Sequence, residues 1–511
     1  MILSAFYIVS IILCLAAMLL LPKNASLVRW LPMMIVLMIS ANCLTFSITY
    51  LFNSEFSLIL PICTNLIITI GCIVFRIKLA KGTEPAGVSS AISLLPRAPF
   101  ANRLDLVVLL MTLVIAVGCM LFQFGPELWP SYVTPDPARH TLIEIQIIQS
   151  LHDDSLFFTH YPIACLMEAC APFLDPIYYY KVMIVAETGF YWLAAMMFYT
   201  LIMKLMPDAN LFVVGVLVAL YMLGYPWHNY IYGFSYWGAS VTCIACLIFV
   251  IAEFGIGFAG RKRVLGLVLT SLLLFDVVIS YTLFVPPAFL AVFLAVILLG
   301  IRDKAKVLRI CVAEAATFIV PLIVLFCFTY LKMFGATTDF VGESLLLEGS
   351  IFSDYFASAL VFLPVAIYGA VKSARVANMR WMHLFAIIFI CYQLVFLVLH
   401  LAGLVGLYYY SKLNFLLWLV VLVYAVIGFD ALLRTHFKVL VGYTAVAGVV
   451  IVMVLSGANK LLGDAFSGKY DPAILDGIVP IYAANIDDAN MPDSMKPVNE
   501  DDIKLYERAL E

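Results

Sequence analysis

The residues best suited to chemistry gather in one stretch, TPDPARHTLIE at positions 134–144. Asp136 stands between Pro135 and Pro137. Aspartate is a preferred helix N-cap and proline is favoured at the first helical position, so capping alone would account for this residue. Capping does not account for Arg139, His140 and Glu144, which follow on successive turns. A carboxylate, a guanidinium and an imidazole then converge where a reacting group needs a base and a counter-charge. Asp136 is therefore read as a candidate general base as well as a cap.

Further candidates lie along the same loop and in later ones. His152, Asp153 and Asp154 form a polar hinge, and its adjacent carboxylates suit either a divalent cation with oxygen ligands or a solvated turn. His160 opens the next apolar segment, as a structural histidine or a substrate contact. The run PWHNYIYGFSYW, 226–237, surrounds His228 with aromatic rings, which reads as a sugar-stacking platform or as the aromatic belt of a membrane boundary. Asp339 and Glu343 lie in a glycine-containing loop, 332–350, built either as a lid or as a plain turn. Lys412 follows the tyrosines of GLYYYSK, Tyr409 and Tyr410 among them. A lysine beside rings at headgroup level either holds a phosphate as a point charge or simply snorkels. Glu187 and Asp276 fall inside apolar runs, where a carboxylate is expensive unless it faces a cavity or a partner.

These side chains must be positioned by lipid-facing helices. The 511 residues are 64% hydrophobic and 12% charged, against roughly 25% charged in soluble domains. This excludes a soluble fold and predicts an all-α polytopic membrane protein. Runs long enough to cross the hydrocarbon, about 20 residues each, number about fourteen. They cover 1–22, 31–52, 56–75, 105–124, 181–203, 210–225, 237–256, 265–283, 285–300, 310–331, 352–371, 382–403, 412–430 and 439–457. The first run has no basic residue before it and no small-residue cleavage site, so it is expected to be a retained span.

Basic residues cluster at Lys23/Arg30, Arg76–Arg103, Lys204, Arg261–Arg263, Arg302–Arg309, Lys372–Arg380 and Arg434/Lys438. These clusters fall in alternate loops, and one orientation fits them all, with both termini outside. The net charge of −3 gives no argument for a nucleic-acid partner. No Walker motif, glycine-rich dinucleotide fingerprint or Cys/His metal spacing occurs, which removes ATP-driven pumps and redox enzymes. No cofactor is expected. Ten of the twelve cysteines lie in apolar runs, and only Cys165 and Cys170 share the long external loop.

Three regions follow: residues 1–104, a three-helix membrane module and linker; residues 105–457, a transmembrane core that carries the candidate site residues; and residues 458–511, a short acidic external tail. The core's external loop 125–180 far exceeds the roughly 2–8 residues usual between helices. Its apolar spacing predicts two interfacial helices, one through Leu142–Leu151 and one through Pro162–Phe173.

From residue 105 to about 457 the pattern resembles the GT-C superfamily of integral-membrane glycosyltransferases. The likeness rests on a span leading into a long external loop, Asp136 near its start, the interfacial helices, a later loop able to act as a lid, and Lys412 beside tyrosines. The resemblance implies an inverting transfer of a sugar from a polyprenyl-phosphate donor to an acceptor hydroxyl on a glycan or lipid. Asp136 would be the base, and Lys412 with Arg139 would stabilise the departing phosphate. The setting expected is the outer face of a bacterial plasma membrane, where cell-wall and other surface polysaccharides are assembled. Three spans before the catalytic loop, and no large C-terminal domain, depart from many family members. The alternative is a lipid-linked oligosaccharide flippase or secondary transporter that uses Glu187 and Asp276 near the bilayer midplane.

Overall fold

A computed structural model describes residues 1–19, 26–51, 55–81, 103–130, 132, 136–150, 158–327 and 361–444. These residues form helices and connecting turns, with no strand among them. Eleven described helical segments are long and apolar enough to cross a membrane, and the chain is a multi-pass helical membrane protein. The span expected at 56–75 appears as the shorter apolar stretch Ile59–Phe75. Those expected at 352–371 and 439–457 extend beyond the described residues. The tail 458–511 lies wholly outside them.

The described residues divide into two compact units, the first within Met1–Thr200 and the second beginning at Leu201. The described part of the first comprises α1 (Ile2–Leu19), α2 (Leu27–Leu51), α3 (Ile59–Lys81), α4 (Arg103–Phe124), α5 (Asp136–Ile148), α6 (His160–Cys170) and α7 (Tyr179–Leu205) through Thr200. Polar side chains join α1, α2 and α3. Asn42 Nδ2 donates to Asn65 Oδ1 at 2.9 Å, and Asn65 Nδ2 donates to Ser10 Oγ at 3.1 Å. Such bonds replace the hydrophobic driving force that lipid cannot supply between helices.

α4 shows how sequence spacing makes a seam. Its buried residues Asp105, Val108, Thr112, Ala116 and Cys119 recur at intervals of three, four, four and three, the stripe that lets two helices interlock. Its remaining surface carries exposed Leu106, Val107, Leu110, Val114 and Phe122, which only hydrocarbon would tolerate. Along the seam Asp105 meets Tyr199, Thr112 meets Met196 and Cys119 meets Tyr191, so α4 and α7 run antiparallel. Asp105 is fully buried, and accepts from Arg29 Nε at 2.9 Å and from the Tyr199 hydroxyl at 2.5 Å.

The second unit holds α8 (Leu211–Leu223), α9 (Tyr225–Ile231), α10 (Ser235–Phe254), α11 (Arg261–Ser280), α12 (Val285–Arg302), α13 (Val307–Leu325), α14 (Leu363–Ser373), α15 (Arg380–Leu401), α16 (Leu407–Lys412) and α17 (Asn414–Thr435). α17 is its centre, buried along most of its length. α14 crosses it at two glycines: a Cβ on Gly369 would lie 2.0 Å from the Tyr424 carbonyl, and one on Gly428 2.1 Å from that of Val365. Backbone touches backbone there, the close approach small residues permit in membranes. At Gly224 the span expected at 210–225 is broken into α8 and α9. A Cβ at that glycine would strike Trp418 Nε1 at 2.4 Å, so the break makes room for an indole from α17.

Candidate functional site

Among the described residues, each unit holds a cluster of buried ionisable side chains on which the candidate residues converge. The first is built on the long loop. α5 begins at Asp136, where the Pro-Asp-Pro signal places it. The side chains of Asp136 and Arg139 lie outside the described set, as do His152, Asp153 and Asp154. His140 and Glu144, one turn apart, share the inner face of α5, with 8% and 1% exposure.

His140 Nδ1 lies 3.1 Å from Nε2 of His160, the first residue of α6. α6 in turn packs on the N-terminal spans: Tyr161 stacks on Phe46 of α2 with ring centroids 4.0 Å apart. Cys165 and Cys170, which share the long external loop, are both free thiols. Five residues apart on one helix, they point about 140° apart.

On α7, Glu187 is 2% exposed and accepts from the Tyr132 hydroxyl at 2.7 Å. The same helix holds α5 in place, for the Thr141 hydroxyl lies 3.1 Å from Met183 Sδ. Glu144 buries both carboxylate oxygens with no hydrogen-bond partner among the described residues. Burial, and then the charge of Glu187, push Glu144 well above the usual carboxylate range. Burial, and then His140, push His160 well below the usual imidazole range. Burial thus favours the neutral acid at Glu144 on α5 and the neutral imidazole at His160 on α6.

The second cluster surrounds Lys412 at the end of α16, which is 4% exposed. Its ammonium lies 4.0 Å from the ring centroid of Trp237, 5.2 Å from Tyr281 and 5.5 Å from Tyr409. Three π faces on one cation form a cage that accepts a buried positive charge. The cage is fixed from behind. Gln393 of α15 donates to the Tyr410 carbonyl at 3.1 Å and to Asn414 Oδ1 at 3.0 Å. Trp237 stacks on Phe234 at 4.3 Å. The rings of the segment expected as a sugar platform or interfacial belt are thus interior: Trp227 and Trp237 are fully buried and Tyr230 is 1% exposed. The His228 side chain, Asp339 and Glu343 lie outside the described residues.

Asp276 is fully buried in α11 of the second unit. Among the described residues no three of histidine, cysteine, aspartate and glutamate converge as a metal-ligand set. Sequence reading missed Tyr132 and Tyr281, since a tyrosine beside a span is ordinary until its partner is known. It also missed Asp105 and Glu314, both within apolar helices, where the cost of intramembrane charge would have marked them. The chain matches no protein-family model, no curated protein and no solved structure.

Proposed function

We propose that the protein is a glycosyltransferase that moves a sugar from a polyprenyl-phosphate donor to an acceptor hydroxyl, decorating a surface polysaccharide or glycolipid on the outer face of the membrane. Asp136 takes the acceptor's proton as its oxygen attacks the anomeric carbon. The new C–O bond forms as the bond to the phosphate breaks, and the phosphate leaves with the electron pair. Lys412, with Arg139, neutralises that phosphate, and fixed cations away from water do this best. The observation that carries the reading is a buried ammonium held by three rings. An aromatic cage keeps such a cation charged and fixed, as a phosphate counter-charge must be.

The test is transfer by purified protein from a panel of polyprenyl-phosphate sugars. Asp136→Asn, which still caps a helix, is expected to lose about 100-fold or more. Wild-type protein that transfers nothing overturns the proposal.

One observation favours a flippase or secondary transporter instead. Glu144 and Glu187 bury two interacting carboxyls beside a membrane helix, as a proton relay requires. Translocation of a lipid-linked glycan in proteoliposomes, lost in Glu187→Gln, would replace the first reading with this one.

A further inference from the structure

A cavity of about 620 Å³ in the first unit is bounded by α1, α2, α6 and α7 with Pro61 of α3. That volume falls within the roughly 300–1,000 Å³ typical of small-molecule sites. Its wall is apolar, with Ile11, Ile35, Met38, Val185, Phe190 and Leu193 prominent. Val185 is 52% exposed, so the cavity opens on the lipid side. Lys181 also lines it. The ammonium lies 5.1 Å and 5.9 Å from the rings of Tyr178 and Tyr180 and makes no ion pair among the described residues.

We infer that this cavity holds one acyl chain of a resident anionic phospholipid, with the lipid's phosphate on the Lys181 ammonium. Close packing disfavours an empty apolar space of this size, and a hydrocarbon chain fills it without breaking a hydrogen bond. Charge selects the headgroup, because among the described residues the lysine at the first turns of α7 meets ring faces and no carboxylate. The lipid is bound rather than turned over. Val182, Val185, Ala186, Gly189 and Leu193 share one face of α7, while Met183 and Glu187 lie about 100° and 140° round the helix from the centre of that face, at 100° per residue. The inference uses nothing of the glycosyltransferase reading and would survive its failure.

The experiment is native mass spectrometry of the full chain, stripped of lipid in non-ionic detergent and titrated with phosphatidylglycerol or phosphatidylcholine of matched chains. One phosphatidylglycerol is expected to bind about tenfold tighter than phosphatidylcholine, as one charge-assisted contact allows. Lys181→Gln should erase that preference while leaving both lipids weakly bound. Gly189→Trp should abolish tight binding, because a side chain at Gly189 meets nothing within 4 Å and can occupy the cavity. Ala186→Met, a smaller filler on the same face, should weaken it by an intermediate amount and covers the case in which the tryptophan variant misfolds. Equal binding of the two lipids, unaffected by Lys181→Gln, would mean annular lipid only and overturn the proposal. So would tighter binding of a polyprenyl monophosphate that displaces phosphatidylglycerol, since the cavity would then belong to a substrate.

Discussion

The first unit buries carboxyls and imidazoles, and the second buries an ammonium, yet the two meet the cost of burial in opposite ways. Around Glu144 the answer is a proton: desolvation and the Glu187 charge together favour the neutral acid. Around Lys412 the answer is π electrons: Trp237, Tyr281 and Tyr409 present ring faces that stabilise the cation without an acceptor's geometry. One device neutralises a buried group and the other surrounds a buried amine with rings.

Substitutions at Lys412 give the largest expected effects. Lys412→Met keeps the length and packing of the side chain, so the thermal midpoint in detergent should move little. If the ammonium serves a phosphate, transfer should fall by about 100-fold or more. Equal activity in this variant would reduce the cage to a packing device.

Trp237→Leu removes the nearest ring. It should cost about 2 kcal/mol or more, read as a lower melting temperature. The loss should be smaller when Lys412→Met is already present.

The pH test bears on the first unit. Glu144 holds its proton in the folded state well above its ordinary value of 4.5. Its contribution is therefore complete below that value and is lost as pH rises through the folded pKa. His160 is depressed below its ordinary 6.5, so its contribution is complete above that value and is lost as pH falls through the folded pKa. Glu144→Gln should flatten the alkaline limb of a melting-temperature profile, and His160→Gln the acid limb. Both substitutions lie in the first unit, so the pH profile tests its side of the comparison. The smallest effect is Tyr132→Phe, which removes one hydrogen bond to Glu187 and should cost about 1–3 kcal/mol.

Much of the helical plan was legible in the sequence because lipid enforces it. Among the described residues, apolar runs of span length became helices at nearly their expected positions, and the Pro-Asp-Pro sequence marked where α5 begins. Lys412 was legible because positive charge is scarce in the loops of that parity. Its cage was not, since Trp237 and Tyr281 come from two other helices and no local spacing reports them. His140 and His160 were each visible, but their pairing depends on how α5 meets α6. The break at Gly224 was hidden for the same reason: its cause is Trp418, far along the chain.

The two faces of α7 make this helix sensitive to length as well as to composition. One inserted residue between Val185 and Glu187 would turn everything before it by 100° relative to everything after it. Lys181 would swing away from its cavity, while Glu187 kept its place. A replacement at one of these positions alters one contact, whereas an insertion shifts the register of all the earlier ones. Divergent versions of this chain should therefore vary freely in which apolar residues line α7 and scarcely at all in how many residues separate Lys181 from Glu187.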